Sequence, residues 1–184
     1  MAWKETHKQE TRQRILTTAG QLFAQKGFNH VGIDEVMMAA GLTRGAFYAH
    51  FQSKIELYEQ AIIFAGMRAA NHFGTQSNSS AELFDNYLSQ EHMESNDVRC
   101  LLPCLVSDVA HDNIRVRNTY TKMLKGFTKL LKSHAKQEPT EETLLLQTIL
   151  LVGGMALARS VSDESLSEKI LAISSKAAKA TIPQ

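Results

Sequence analysis

The chain is poor in the residues that would give it an unusual architecture. Two cysteines in 184 residues, Cys100 and Cys104, cannot staple a fold of this size, which excludes a disulfide scaffold. Three prolines and ten glycines exclude a collagen-like or linker-rich chain. Long hydrophobic runs are missing too. The most apolar stretch, Leu144 to Ala158, is interrupted by Gln147 and Thr148 and falls short of the roughly 20 residues a membrane span needs, so it reads as a buried helix. The polar start, Met1 to Glu10, lacks the apolar core of a signal peptide, which predicts a soluble, cytoplasmic protein with reduced thiols and no membrane partner. What remains is ordinary: 43% hydrophobic residues and mixed charge supply a packed core and exclude disorder as the main state.

The formal net charge of +1 hides an asymmetry. Residues 1–55 hold seven Lys/Arg against four Asp/Glu, whereas the rest of the chain holds 13 against 15. His7, His30 and His50 lie in the same basic third. A polyanion partner for the N-terminal part fits this distribution.

Periodicity is helical nearly everywhere, with no strand alternation and no internal repeat, which predicts an all-α fold. Ile15, Ala19, Leu22 and Phe23 share one face of a first helix, and Gly27 supplies its C-cap. Ile33, Val36, Met37 and Ala40 mark a short second helix ended at Gly41. Thr43 is placed to cap a third, Arg44 to about His50, and Ser53 a fourth carrying Leu57, Ala61, Phe64 and Ala65. The polar, small-residue stretch Asn71–Ser80 reads as a loop. Beyond it, helices are expected at 81–93, 101–112, 115–135, 140–161 and 164–179, with Pro103 in a first turn and a capping-box-like start at Thr140.

Two short helices joined by a Gly-containing turn have helix-turn-helix proportions, with the motif at about 33–52. Phe47 and Phe51, four apart, anchor the inner face of the second helix and leave Arg44, Gly45, Ala46, Tyr48, Ala49 and His50 more exposed. Arg44 has the reach for a guanine edge or a phosphate, and Tyr48 and His50 for phosphate oxygens. Small residues at Gly45 and Ala46 allow the helix backbone to lie near a groove floor, and Lys54 adds a point charge. The plainer alternative keeps Tyr48 and His50 as partly buried side chains of a small helical bundle.

The whole string decides in favour of the former. From Arg14-Ile15-Leu16 through Ala39-Ala40-Gly41-Leu42-Thr43-Arg44-Gly45-Ala46-Phe47-Tyr48-Ala49-His50-Phe51-Gln52-Ser53-Lys54, residues 12–60 resemble the DNA-binding domain of the TetR family of bacterial transcriptional regulators. The resemblance implies a three-helix DNA-binding head at 1–54 and a larger helical ligand-binding and dimerisation domain at 55–184. It implies a homodimer on a palindromic operator, most simply a repressor, released by a small apolar or aromatic effector. The family's contact positions fall on Thr43, Arg44, Gly45, Ala46, Tyr48, His50 and Lys54. Gly32 stands where the family usually has Thr or Ser, which leaves only a backbone N–H contact from Ile33, and Asp34 follows where a basic or neutral residue would sit more easily near DNA.

The remaining two thirds diverge more. Phe64, Met67, Phe73, Phe84, Tyr87, Cys100, Cys104 and Met123 are the candidates for an effector cavity, though residues of these types are more often plain core than ligand wall. The helices at 140–161 and 164–179 are the candidates for dimerisation, with Ile149, Val152, Gly153, Ala156 and Leu171 as expected interface positions. Cys100 and Cys104 fit small buried hydrophobes, a reactive thiol at Cys100 switched by electrophile or oxidant, or a metal pair lacking clear co-ligands. No phosphate loop, His-Glu-x-x-His string or paired-cysteine metal spacing appears, so neither catalysis nor a cofactor or metal is expected.

Overall fold

The computed structural model describes residues 2–95 and 100–183. Among these there are ten helices and no strand. They are α1 (Ala2–His30), α2 (Ile33–Ala39), α3 (Arg44–Tyr48), α4 (Lys54–Thr75), α5 (Ser80–Tyr87), α6 (Gln90–Glu94), α7 (Leu101–Ala110), α8 (Ile114–Ser133), α9 (Glu141–Ser160) and α10 (Glu164–Ala180). The all-α expectation holds.

Packing divides the chain into two compact units, one of residues 1–65 with 104–122 and one of residues 66–103 with 123–184. The sequence division after residue 54 follows the motif; the packing instead gathers the first half of α4 and a later segment around the motif.

In the first unit Ile15, Ala19 and Phe23 of α1 are buried with Val36 and Met37 of α2, Phe47 and Phe51, and Leu57 and Tyr58 of α4. Tyr58 lies edge-on to Phe23 and Phe28, at 5.0 and 4.9 Å between ring centres. Such aromatic pairs add about 0.5–1.5 kcal/mol beyond the area they bury. Gly27, at φ 76°, breaks α1 into two helical pieces, as its C-cap role requires. A side chain there would also run into the Asp108 carboxylate, so only glycine fits on two grounds.

The second unit packs α9 against α10, with α5 and α6 alongside. Side-chain caps start its helices: Ser79 on α5, Ser89 on α6, Thr140 on α9 and Asp163 on α10 each accept an N–H from the first turn. Gly154 of α9 lies against Ser174 of α10, whose Cβ would stand 2.6 Å from an added Cβ. By length and composition α9 could cross a membrane, but Leu151, Val152, Met155 and the polar Gln147 and Thr148 are buried within the unit, as in a core helix.

Two sequence expectations need correction. The loop expected at Asn71–Ser80 is largely helix, because α4 continues to Thr75. Phe73 is buried, and Gly74 lets α4 approach Leu130 of α8 with 3.4 Å between that side chain and an added Cβ. Tertiary packing overrides the polar local composition. The helix expected at 81–93 is two helices, since Ser89 turns the chain by donating to the Asn86 carbonyl at 2.9 Å and accepting from His92 N–H at 3.1 Å.

Candidate nucleic-acid interface

The turn between α2 and α3 follows from one residue. Gly41 takes the left-handed conformation, φ 66°, which costs it nothing for want of a Cβ. Leu42 N–H then reaches back to the Met37 carbonyl at 2.9 Å and Gly41 N–H to Met38 at 3.0 Å, the paired bonds of a Schellman end. Phe47 and Phe51 are buried and hold α3 by its inner face.

The outer face is open. Thr43, Arg44, Gly45, Tyr48 and Ala49 are exposed, with Tyr48 at 60%; Ala46 and His50 are half-buried. Thr43 occupies the cap position of α3, but its hydroxyl makes no cap bond, and the Gly32 cap of α2 has no side chain to make one. Around Gly45 the nearest atom to an added Cβ is the Thr43 hydroxyl oxygen, at 4.0 Å.

The charges on this face are partly engaged. Arg44 donates to Asp34 of α2 at 2.8 Å. Its hydrogen bond with Tyr48, and then Asp34, hold the guanidinium above its usual pKa. Asp34 thus restrains the arginine on the outer face of α3. Lys54 folds its ammonium 4.5 Å over the Phe28 ring, and burial holds its pKa down against the opposing pull of Asp112. His50 lies two residues past the end of α3, with Nδ1 buried and unpartnered. Burial, then Lys8 and Arg12 of α1, keep its imidazole below the usual pKa. Neither Lys8 nor Arg12 was marked by the motif; their i, i+4 spacing puts them on one face of α1, but which face meets α3 is a tertiary fact.

The other sequence candidates scatter. Phe84 and Tyr87 are fully buried, Met123 and Cys100 nearly so, Phe64 and Cys104 half-buried, and Met67 is turned to solvent. Tyr87 packs with Phe73, His92 and Phe127 at ring separations of 4.8–5.3 Å. Its hydroxyl donates to Cys100 Sγ at 3.4 Å, while Cys100 N–H donates to His92 Nε2 at 3.3 Å. His92 therefore carries its proton on Nδ1, facing the Tyr87 carbonyl at 2.5 Å. Of the expected interface positions, Val152 and Leu171 are buried within their own unit, Gly153 and Ala156 are half-buried, and Ile149 is exposed. Leu145, Leu146 and Leu157 of α9 and Leu166 and Ile173 of α10 are exposed too.

An α2–turn–α3 unit whose second helix is anchored by two phenylalanines and open on its outer face is a helix-turn-helix head. Comparison with known proteins is consistent with this. Residues 15–61 match the model for bacterial regulatory proteins of the tetR family. The segment is 48% identical over 52 residues to the HTH-type transcriptional regulator AcrR of Shigella flexneri, covering 28% of this chain and 24% of that protein. A longer match, 34% identical over 94 residues, is to the transposon Tn10 TetC protein of Escherichia coli, covering 46% of this chain and 48% of that one. The chain thus matches about half or less of the length of these relatives. Its fold is shared throughout with the reduced form of E. coli NemR, at TM-score 0.72 and 23% identity, covering 95% of this chain and 98% of that one. A Cytophaga hutchinsonii regulator gives TM-score 0.74 at 15% identity, covering 97% and 98%. Residues 15–61 thus resemble the DNA-binding domain of the tetR family, and the chain as a whole shares the fold of these solved structures.

Proposed function

We propose that this chain is a cytoplasmic, effector-released transcriptional repressor that binds a palindromic operator as a homodimer. The observation that carries the reading is the open outer face of α3, held by Phe47 and Phe51 on a glycine-turned helix-turn-helix. Arg44 would read a base edge once freed from Asp34, and Gly45 and Ala46 would let the backbone approach the groove floor. Thr43, Tyr48, His50 and Lys54 would hold phosphates.

The second copy would cover the exposed apolar side chains of α9 and α10, Ile149 among them. Gly153 supports this: an added Cβ there meets nothing within 4 Å, so its own chain gives no reason for a glycine in mid-helix. A small apolar or aromatic effector would act from the unit holding Phe84, Tyr87, Cys100 and Met123. A coupling of about 1–3 kcal/mol between effector and operator would change affinity 5- to 150-fold.

The test is binding to a labelled duplex from the DNA flanking its own gene, at two salt concentrations with excess nonspecific competitor. Competitor-resistant binding is expected; binding lost equally to any competitor would overturn operator recognition there. Lys54→Ala should flatten the salt dependence, and Tyr48→Ala should weaken binding to any duplex with the slope kept; an unchanged slope in the first and unchanged affinity in the second would remove both from the phosphate contacts.

The Tyr87 hydroxyl on Cys100 Sγ favours a second reading, in which thiol modification is the switch. NemR, similar in fold, is described in a reduced form. An electrophile would then abolish DNA binding in the wild type and spare it in Cys100→Ser; equal loss in both would discard this reading.

A further inference from the structure

His50, two residues past the end of α3, has a buried Nδ1 with no hydrogen-bond partner. A buried lone pair without a donor is a smaller penalty than a buried N–H without an acceptor, so the neutral ring carries its proton on Nε2. Beside it, 6.3 Å away between ring centres, lies Phe51, and the Arg12 guanidinium stands 5.0 Å over the Phe51 ring. Lys8 lies one turn earlier on the same face of α1 and is exposed.

No carboxylate pairs with these groups in the described structure. The side-chain carbonyl of Gln60 accepts from Arg12, and Gln60 Nε2 in turn donates to Glu56 at 2.8 Å. The other oxygen of Glu56 accepts from the Gln52 backbone N–H at 2.7 Å. A neutral amide thus stands between Arg12 and the nearby acid. Lys8 and Arg12 both act electrostatically on His50, and the fields of the two cations add where an anion would approach. Arg12 is already ordered by Phe51 and Gln60, so holding it against a ligand sacrifices little rotamer freedom.

We propose that Lys8, Arg12 and the Nε2 side of His50 form a phosphate site that extends the DNA interface from the helix-turn-helix onto α1, its ligand a phosphodiester of the DNA backbone. This rests on the DNA-binding reading and adds two residues outside the family's matched positions. Lys8 supplies a point charge, Arg12 a pre-ordered fork, and His50 a neutral donor.

The test is a salt titration of binding to a short random-sequence duplex, where backbone contacts dominate. Lys8→Ala and Arg12→Ala should each lower the slope of log affinity against log salt by about 0.9, the value of one phosphate contact. Lys136→Ala, an exposed charge between α8 and α9, should leave the slope as it is. Because Arg12 also packs on Phe51, Arg12→Lys separates charge from packing and should restore the slope.

Wild-type slopes in both Lys8→Ala and Arg12→Ala, with binding intact, would overturn this inference alone. Failure of the wild type to bind any duplex at low salt would overturn the DNA-binding reading together with it. Inorganic phosphate at constant ionic strength should not displace the duplex; displacement in the wild type but not in Lys8→Ala would mean a free-anion site and overturn the assignment to DNA.

Discussion

Two adjacent glycines of α9 answer to opposite constraints, and replacing each with alanine separates them. In a helix interior alanine is better than glycine by about 0.8–1.0 kcal/mol. At Gly153 an added Cβ meets nothing within 4 Å. Gly153→Ala should therefore stabilise the isolated protomer by about 1 kcal/mol and raise its melting temperature by about 2–4 °C for a chain of this size. At Gly154 the added Cβ would stand 2.6 Å from Ser174 Cβ and 3.4 Å from Leu88 Cδ2. Overpacking of this kind costs about 1–3 kcal/mol, which offsets or exceeds the propensity gain, so Gly154→Ala should melt no higher than wild type and most simply lower.

Dimerisation adds a second observable. If two α9 helices cross at Gly153, each subunit brings one new methyl group to the crossing. Gly153→Ala should then raise the dimer dissociation constant about tenfold, equivalent to about 1.4 kcal/mol, while the dilute monomer melts higher than wild type. Melting curves across protein concentration, with sedimentation equilibrium, would read both quantities. A Gly153→Ala protein that melts higher and dimerises as before would refute the placement of Gly153 at the crossing. A Gly154→Ala protein that melts higher than wild type would refute the account of the Ser174 contact.

Three further outcomes follow from the head. Asp34→Asn should tighten binding to duplexes of any sequence, since it frees Arg44 and removes a negative charge from the α3 side, and should leave the melting temperature nearly unchanged because both partners are exposed; fluorescence anisotropy showing equal or weaker binding would contradict this. Gly41→Ala should destabilise the protein by about 1–2 kcal/mol from its positive φ alone, since no atom lies within 4 Å of the added Cβ, and a denaturant midpoint equal to wild type would count against the Schellman turn. His50 is held below its usual pKa by burial and then by Lys8 and Arg12. Its stabilisation is therefore complete above the unfolded imidazole value near 6.5 and declines as pH falls from there toward the folded value. Thermal melts from pH 7 to pH 5 should fall less steeply in His50→Asn than in wild type, and parallel curves would exclude the linkage.

Much of the head was legible because its residues act locally. Gly41 demands a left-handed turn, Phe47 and Phe51 are one helical turn apart, and Ser53 caps α4 by accepting from Glu56 N–H, all within a few residues of sequence. The helical unit was harder. Asn71–Ser80 carries loop composition, yet Phe73 and Gly74 are committed to a helix by what packs on them, which no local pattern records. Ser89, in contrast, is a local capping signal, accepting from His92 N–H three residues on. The pairing of Arg44 with Asp34 and the approach of Arg12 to Phe51 depend on how α1, α2 and α3 pack. Val152 and Leu171 illustrate the same limit, since an apolar helix face does not say whether its own chain or another covers it.

The distribution of helix caps has a kinetic consequence. Helices α5, α6, α9 and α10 start on a serine, threonine or aspartate that satisfies a first-turn amide, whereas α2 starts on Gly32 and α3 on a Thr43 that makes no such bond. The first-turn amides of α2 and α3 are therefore left to solvent in the free protein, and these short helices are the natural sites of local opening. Amide exchange should be fastest there among the helix starts. A bound phosphate would slow it by taking the place of the missing cap. The part of the chain that meets DNA would then gain order most on binding, and occupancy would register as lengthened exchange lifetimes in two short helices rather than as a change of shape.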